Sequence, residues 1–101
     1  MRDFDERVRQ ALDALPPDLA RGLENVAVVV EEENLEDPRV LGLFQEAPYM
    51  PAKITIYRRP LEASFGHDPA RLEHEIRVTV LHELAHYFGI DEQRLAELGY
   101  A

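Results

Sequence analysis

The feature that most constrains the fold of this chain is a long helix, predicted from Asp68 to Phe88. Asp68 is a preferred N-cap residue and Pro69 a preferred first helical residue, so the start is well defined. Gly89 is expected to end the helix, because glycine accepts the left-handed conformation that closes many helices. The second half, from Val78 onward, is apolar on almost every side, which is typical of a buried helix.

Three polar side chains interrupt this apolar half and share one sector of it. His82 and His86 are four residues apart, so their imidazoles lie on one face, one turn from each other. Glu83 is rotated from His82 by about 100° and flanks that face. Burying these groups is costly unless each has a partner. A Zn²⁺ ion held by both imidazoles, with Glu83 beside a water that the metal activates, would supply those partners, and metallopeptidases use this spacing.

A third metal ligand is expected shortly after the helix, because a catalytic zinc has three protein ligands and one open position. A sharp turn at Gly89 would bring a following residue back towards the metal. Glu92 is the preferred candidate, and Asp91 is the alternative. Asp91 is also a suitable N-cap for a last helix from Glu92 to Leu98, and both roles are compatible.

The remaining elements predict an α+β fold. The stretch from Asp3 to Leu15 has the apolar periodicity of a helix, and three strands are predicted at Val26–Glu31, Val40–Phe44 and Lys53–Tyr57. The β-branched first strand is expected at the centre of the sheet, and the alternating third strand at its edge. The expected architecture is a mixed sheet of three or four strands packed against the N-terminal helix and the central active-site helix, with a short C-terminal helix, in a single domain over residues 1–101.

Several local features have two interpretations. Gly42 indicates a bulge in the second strand, and Pro48 and Pro51 are expected to exclude a strand ladder from the loop between them. The acidic run at 31–33 is interpreted as a solvated strand end rather than a cation site, because it lacks the spacing of a calcium loop. Arg58 and Arg59 are interpreted as surface charge rather than as a clamp for a substrate carboxylate.

Composition excludes several functions. The net charge of −9 over 101 residues argues against a nucleic-acid partner, since no basic stripe is available for phosphates. The chain has no cysteine, so disulfides and thiolate zinc sites are excluded. No apolar run approaches about 18 residues and the N-terminus lacks an apolar signal core, so no membrane partner is expected and the predicted location is cytoplasmic.

The chain resembles the zincin superfamily of metallopeptidases, and more narrowly the short bacterial zincin-like metallopeptidases, or mini-zincins. The resemblance rests on the His82–His86 motif and the order helix, strands, active-site helix. It extends from Leu12 through the Ile54–Arg58 strand to the His86–Leu95 segment and the Glu97–Tyr100 ending. It covers nearly the whole chain.

The resemblance implies specific roles. His82 and His86 would be zinc ligands, Glu83 the general base, and an acidic residue after the glycine the third ligand, commonly aspartate where this chain has Glu92. Relatives also place an edge strand antiparallel to the bound substrate. By position that strand would be formed by Lys53, Ile54, Thr55, Ile56 and Tyr57.

The implied activity is zinc-dependent hydrolysis of a peptide or protein substrate. The alternative is a zincin-fold binding or regulatory module with a weak or non-catalytic metal site. A metal-dependent hydrolase of RNA or of a formyl group is weaker, because the negative charge and the lack of cysteine argue against it. Tyr100 is a candidate oxyanion donor beside the metal, although an aromatic plug under the helix is preferred. A homodimer is an open expectation, since so small a domain gains from burying a sheet edge.

Overall fold

The computed structural model describes residues 4–88 and 92–100, without the side chains of Tyr87, Phe88 and Glu92. The described residues form a three-stranded sheet and helices packed on it. In chain order the elements are α1 (Phe4–Asp13), α2 (Pro17–Arg21), β1 (Val26–Glu31), β2 (Gly42–Ala47), β3 (Met50–Tyr57), α3 (Arg58–Phe65), α4 (Pro69–Phe88) and α5 (Glu92–Glu97).

The sheet is mixed and has the order β1-β3-β2. β1 runs parallel to β3, with Val28 opposite Ile54, and β2 pairs antiparallel with β3, with Gly42 opposite Ile56. The α+β class with a mixed sheet, an N-terminal helix, a central long helix and a short C-terminal helix is confirmed.

The predicted positions of two strands are wrong. β3 is the central strand, and β1 lies at an edge. Alternation in β3 predicts a strand at the edge of the sheet, but all four residues from Ile54 to Tyr57 are buried, at no more than 4% exposure. The run of valines in β1 does not indicate a central position in the sheet, because the residues of β1 are half-buried or exposed. Among the described residues β1 has a strand partner on one side only.

The β2–β3 hairpin also differs from the predicted boundaries. β2 begins at Gly42 and reaches Ala47, so Gly42 lies in regular register and the irregularity falls between Gln45 and Ala47. β3 begins before Pro51, at Met50, which contradicts the predicted exclusion of a ladder there. Proline is tolerated beside such an irregularity because the ladder is already disrupted.

The core lies between the sheet and the two long helices. Val80, Leu81 and Leu84 of α4 and Ile54 and Ile56 of β3 are fully buried. Phe4, Val8 and Ala11 of α1 belong to the same cluster. Burial of each large side chain stabilises the fold by about 1.5–3 kcal/mol. The core therefore fixes α4 against the sheet.

The ends of the helices follow local sequence signals. Asp68 Oδ1 accepts hydrogen bonds from the backbone N–H groups of Ala70 (3.2 Å) and Arg71 (3.3 Å), which confirms the predicted N-cap of α4. The N-terminal helix ends at Asp13, before the predicted Leu15; Asp3 and Gly89 lie outside the described residues. No helix in the described ranges is apolar over a length sufficient to cross a membrane.

Helix α3 was not predicted. It follows β3 directly and contains Pro60 in its first turn, where proline costs no helical hydrogen bond. The sequence indicates surface charge at Arg58 and Arg59 but no helix. The spacing of Leu61 and Phe65, four residues apart, was the available signal, but eight residues are too few to establish a period.

Candidate metal centre

Helix α4 presents His82 and His86 on one face, as the sequence predicts. Their ring centroids are 4.9 Å apart, and the ring planes are inclined by 72°. Both side chains are exposed, whereas Glu83 beside them is half-buried. The neighbouring Leu81 and Leu84 are fully buried in the core, and this burial fixes the rotation of the helix.

The expectation that the two histidines are buried is wrong. Val80, Leu81 and Leu84 fill the core sector of this half of α4, and the histidine face is open to solvent. An apolar composition on several sides was therefore not sufficient to predict burial of the polar sector. Exposed imidazoles can hydrogen-bond to water and do not need a metal as a partner. The cost of burying them is therefore no argument for a metal site. Their accessibility is nevertheless what a metal that meets a substrate requires.

The two imidazoles fit a zinc ion in type and spacing, since neutral histidine nitrogen is a preferred zinc ligand and residues four apart on a helix can converge. Within the described residues no group of three or more His, Asp or Glu side chains is arranged to hold a metal. Both candidates for the third ligand, Asp91 and the side chain of Glu92, lie outside the described part of the structure. The ligand assignment therefore remains a prediction.

Strand β2 lies directly against the turn of α4 that carries Glu83. A Cβ atom built on Gly42 would lie 2.6 Å from Thr79 Cγ2 and 3.7 Å from Glu83 Cγ. No side chain fits in the first gap without movement. Glycine at this position thus allows the backbone of the edge strand to approach the candidate general base. The Gly42 signal was present in the sequence, where it was interpreted as a bulge rather than as a close approach.

Within the part of the chain that the structure describes, β2 has no strand partner on its outer side, at the level of Glu83. Tyr57 N–H donates to Leu41 O at 3.0 Å, and Gly42 is opposite Ile56. In an antiparallel pair this pattern makes Gly42 and Ile56 a pair that exchanges no hydrogen bonds with each other. The N–H and C=O of Gly42 therefore point away from β3, towards the outer edge of the sheet.

This arrangement corrects the predicted substrate strand. Both edges of β3 (residues Lys53, Ile54, Thr55, Ile56 and Tyr57 among them) are paired, to β1 and to β2, so its backbone cannot accept another strand. The strand that lies at the edge and beside Glu83 is β2.

The ring of Tyr100 packs on α4 two turns before the histidine pair. It stacks on His74 with centroids 5.7 Å apart, and Arg77 Cζ lies 5.9 Å from its centroid. Gly99 has a φ of 83°, and Tyr100 N–H donates to Leu95 O at 2.8 Å, which closes α5 and turns the ring onto α4. These contacts support the aromatic plug and give no support to an oxyanion role.

Charged residues near the ends of β1 and β3 pair with one another. Arg58 binds Glu32 and Glu62, and Arg59 binds Glu32 at 3.4 Å. These ion pairs support the interpretation of both arginines as surface charge. The described acidic residues of the 31–33 run form no metal-binding group.

Tyr57 is buried beside residues 31–36, the acidic loop at the end of β1. Its hydroxyl accepts a hydrogen bond from Asn34 Nδ2 at 3.4 Å. Burial raises the pKa of Tyr57, and the negative charges of Glu31 and Glu36 raise it further, whereas the hydrogen bond from Asn34 lowers it. Tyr57 thus lies on the side of the sheet that faces the acidic loop.

Comparison with known proteins identifies the family. No curated protein sequence matches the chain. A family model described as zincin-like metallopeptidase matches residues 23–100, which include the histidine pair, Glu83, all three strands and α5. The chain therefore belongs to the zincin-like metallopeptidase family.

Proposed function

We propose that this protein is a zinc-dependent peptidase that uses Glu83 as its general base. One observation carries the proposal: an exposed imidazole pair and a half-buried carboxylate lie on one helix, directly beside an open strand edge. The family match supports it, since zincin-like metallopeptidases generally use zinc.

His82 and His86 would hold the metal, with Glu92, or alternatively Asp91, as the third ligand. When bound, zinc would polarise the scissile carbonyl and lower the pKa of water towards neutrality. Glu83 would accept the proton of the attacking water and transfer it to the leaving amine. Glu83 lies where β2 approaches α4, so that a Cβ atom built on Gly42 would be 3.7 Å from its Cγ.

Strand β2 is the proposed binding strand for the substrate. An extended peptide that pairs with it would use the outward N–H and C=O of Gly42 as its first anchor, as peptides do when they add a strand to a sheet. This anchor lies at the level of Glu83. The scissile bond would therefore be presented within reach of the base.

The test compares the wild type with Glu83→Gln on a diverse peptide pool, read by mass spectrometry at measured zinc occupancy. Glutamine keeps the shape of the side chain but cannot take the proton. We expect zinc-dependent cleavage by the wild type and a loss of about 100-fold or more in the variant, the usual contribution of a general base. Equal cleavage by both would refute the role of Glu83. No cleavage by either protein at full zinc occupancy would favour the alternative, a binding or regulatory module.

A further inference from the structure

A cavity lies on the face of the sheet opposite to the active-site helix. It has a volume of about 590 Å³ and is lined by the loop 31–36 together with Leu43, Gln45 and Tyr57. The side chain position of Gly42 faces Thr79 of α4, so that of Leu43 points to the other side of the sheet. The cavity therefore extends from the acidic loop to β2, the strand beside Glu83.

The cavity carries uncompensated negative charge near Tyr57. Glu32 is neutralised by Arg58 and Arg59, and Glu33 lies 3.9 Å from Arg59. Glu31 and Glu36 have no ion-pair partner among the described residues, and the charges of both act on Tyr57. The uncompensated charge is thus directed at the part of the cavity where the Tyr57 hydroxyl lies.

Thr55 lies on the same face of the sheet, opposite Leu43 and two residues before Tyr57, but it does not line the cavity. It is fully buried, and its Oγ1 has no hydrogen-bond partner in the described part of the chain. Among the residues that line the cavity, Tyr57 is therefore the one that offers a hydroxyl to a ligand.

A substrate strand on β2 would present alternate side chains to this face. The substrate residue opposite Leu43 adjoins the one opposite Gly42, which lies at the level of Glu83. The residue opposite Gln45 is disfavoured for a cation, because Gln45 pairs with Lys53 on that face. A long side chain opposite Leu43 can extend over the sheet towards the loop.

We propose that this cavity is a specificity subsite for a basic side chain, arginine or lysine, at the substrate position opposite Leu43. Glu31 and Glu36 would supply the charge, and the Tyr57 hydroxyl a hydrogen-bonding group. This proposal rests on the proposed peptidase function and on β2 as the binding strand.

The first experiment measures cleavage of blocked peptides in which each position near the cleaved bond is in turn arginine, norleucine or glutamate. We expect arginine to be preferred at one position and not at its two neighbours, because adjacent side chains point to opposite faces. Glu31→Gln and Glu36→Gln should each lower the ratio of arginine to norleucine cleavage by about two- to fivefold, the range of exposed ion pairs. Glu24→Gln, which removes an exposed carboxylate outside the cavity lining, should leave the ratio unchanged.

Cleavage that depends on Glu83 but shows no basic preference, or that responds equally to Glu24→Gln, would overturn the subsite and leave the peptidase intact. If the wild type cleaves nothing, the peptidase proposal fails and binding tests the cavity. The probe is then acetyl-Gly-Arg-Gly-amide against its norleucine counterpart, followed by the backbone NMR signals of Leu43, Gln45 and Tyr57. Arginine-dependent shifts that Glu31→Gln and Glu36→Gln weaken would support the cavity as a basic-residue site. Equal shifts with both peptides, or none, would overturn it.

Discussion

The contact of Gly42 with Thr79 gives a prediction that is independent of any activity. Replacing Gly42 by alanine places a methyl group 2.6 Å from Thr79 Cγ2 and 3.3 Å from Thr55 O. The first distance is too short for two carbon atoms, so β2 or α4 must move. Both elements are fixed by buried neighbours, with Thr79 at 7% exposure, so the movement is resisted.

The expected magnitude combines two opposing terms. Overpacking of a close-packed site costs about 1–3 kcal/mol. Gly42 does not have a positive φ, so alanine is compatible with its backbone and recovers about 0.4–1 kcal/mol by restricting the unfolded chain. The free energy of unfolding should therefore fall by about 0.5–2 kcal/mol.

The decisive measurement is a double-mutant cycle with Thr79→Ser. Serine removes the clashing methyl group and keeps the hydroxyl that donates to Glu75 O at 2.8 Å. Urea unfolding should show that Gly42→Ala and Thr79→Ser together cost about 1 kcal/mol less than the sum of the two separate changes. Val8→Ala, a truncation in α1, should combine additively with Gly42→Ala. A neutral Gly42→Ala, or additivity with Thr79→Ser, would refute the close packing of β2 against α4.

Three further predictions concern the metal site and pH. Glu92→Gln should weaken zinc binding, measured by competition with a chelator, at least about tenfold, because even residues that only support a ligand change affinity by about 10- to 100-fold; Asp91→Asn should weaken it less. The raised pKa of Tyr57 means that the unfolded chain loses this proton first, so the free energy of unfolding should fall as pH rises above about 10. Tyr57→Phe should remove that part of the slope. Arg94 holds the pKa of Asp18 below its usual range, so their ion pair should stabilise the fold at neutral pH and cease to do so as pH falls through that lowered value. Acid unfolding curves of the wild type and Asp18→Asn should therefore converge at low pH.

Each of these expectations has a contradicting result. A larger loss of zinc affinity in Asp91→Asn than in Glu92→Gln would reverse the assignment of the third ligand. An unchanged alkaline slope in Tyr57→Phe would show that its phenol ionises as in the unfolded chain. A constant difference between the wild type and Asp18→Asn at all pH values would show that the Asp18 carboxylate is not the titrating partner.

The sequence predicted the elements better than their arrangement. Asp68 and Pro69 fixed the start of α4 because N-capping is a local interaction, and the helical spacing of His82 and His86 followed from the period of the helix alone. The order of the strands is not local. The valines of β1 and the alternation of β3 describe each strand by itself, and only the pairing of Val28 with Ile54 and of Gly42 with Ile56 reveals which strand lies in the middle.

The arrangement of the candidate site follows from the sequence only where it depends on a single element. The histidine pair depends on one helix and was found, whereas the approach of β2 to Glu83 depends on two elements far apart in sequence. The exposure of His82 and His86 also required knowledge of which sector of α4 the core occupies. Gly42 carried a signal for close approach, but a glycine in a strand is compatible with a bulge as well, and the sequence does not distinguish the two.

The outer edge of β1, which has no strand partner among residues 4–88 and 92–100, has a consequence for the behaviour of the protein in concentrated solution. Val26 to Val30 contain no charged residue, and uncharged edge strands are templates for association between molecules. The net charge of −9 opposes such contacts at neutral pH by repulsion between molecules. As acid protonates the carboxylates, the repulsion weakens while the edge is unchanged, so mild acid should favour aggregation before unfolding. A lysine in place of the exposed Ala27 would protect this edge without touching the metal helix.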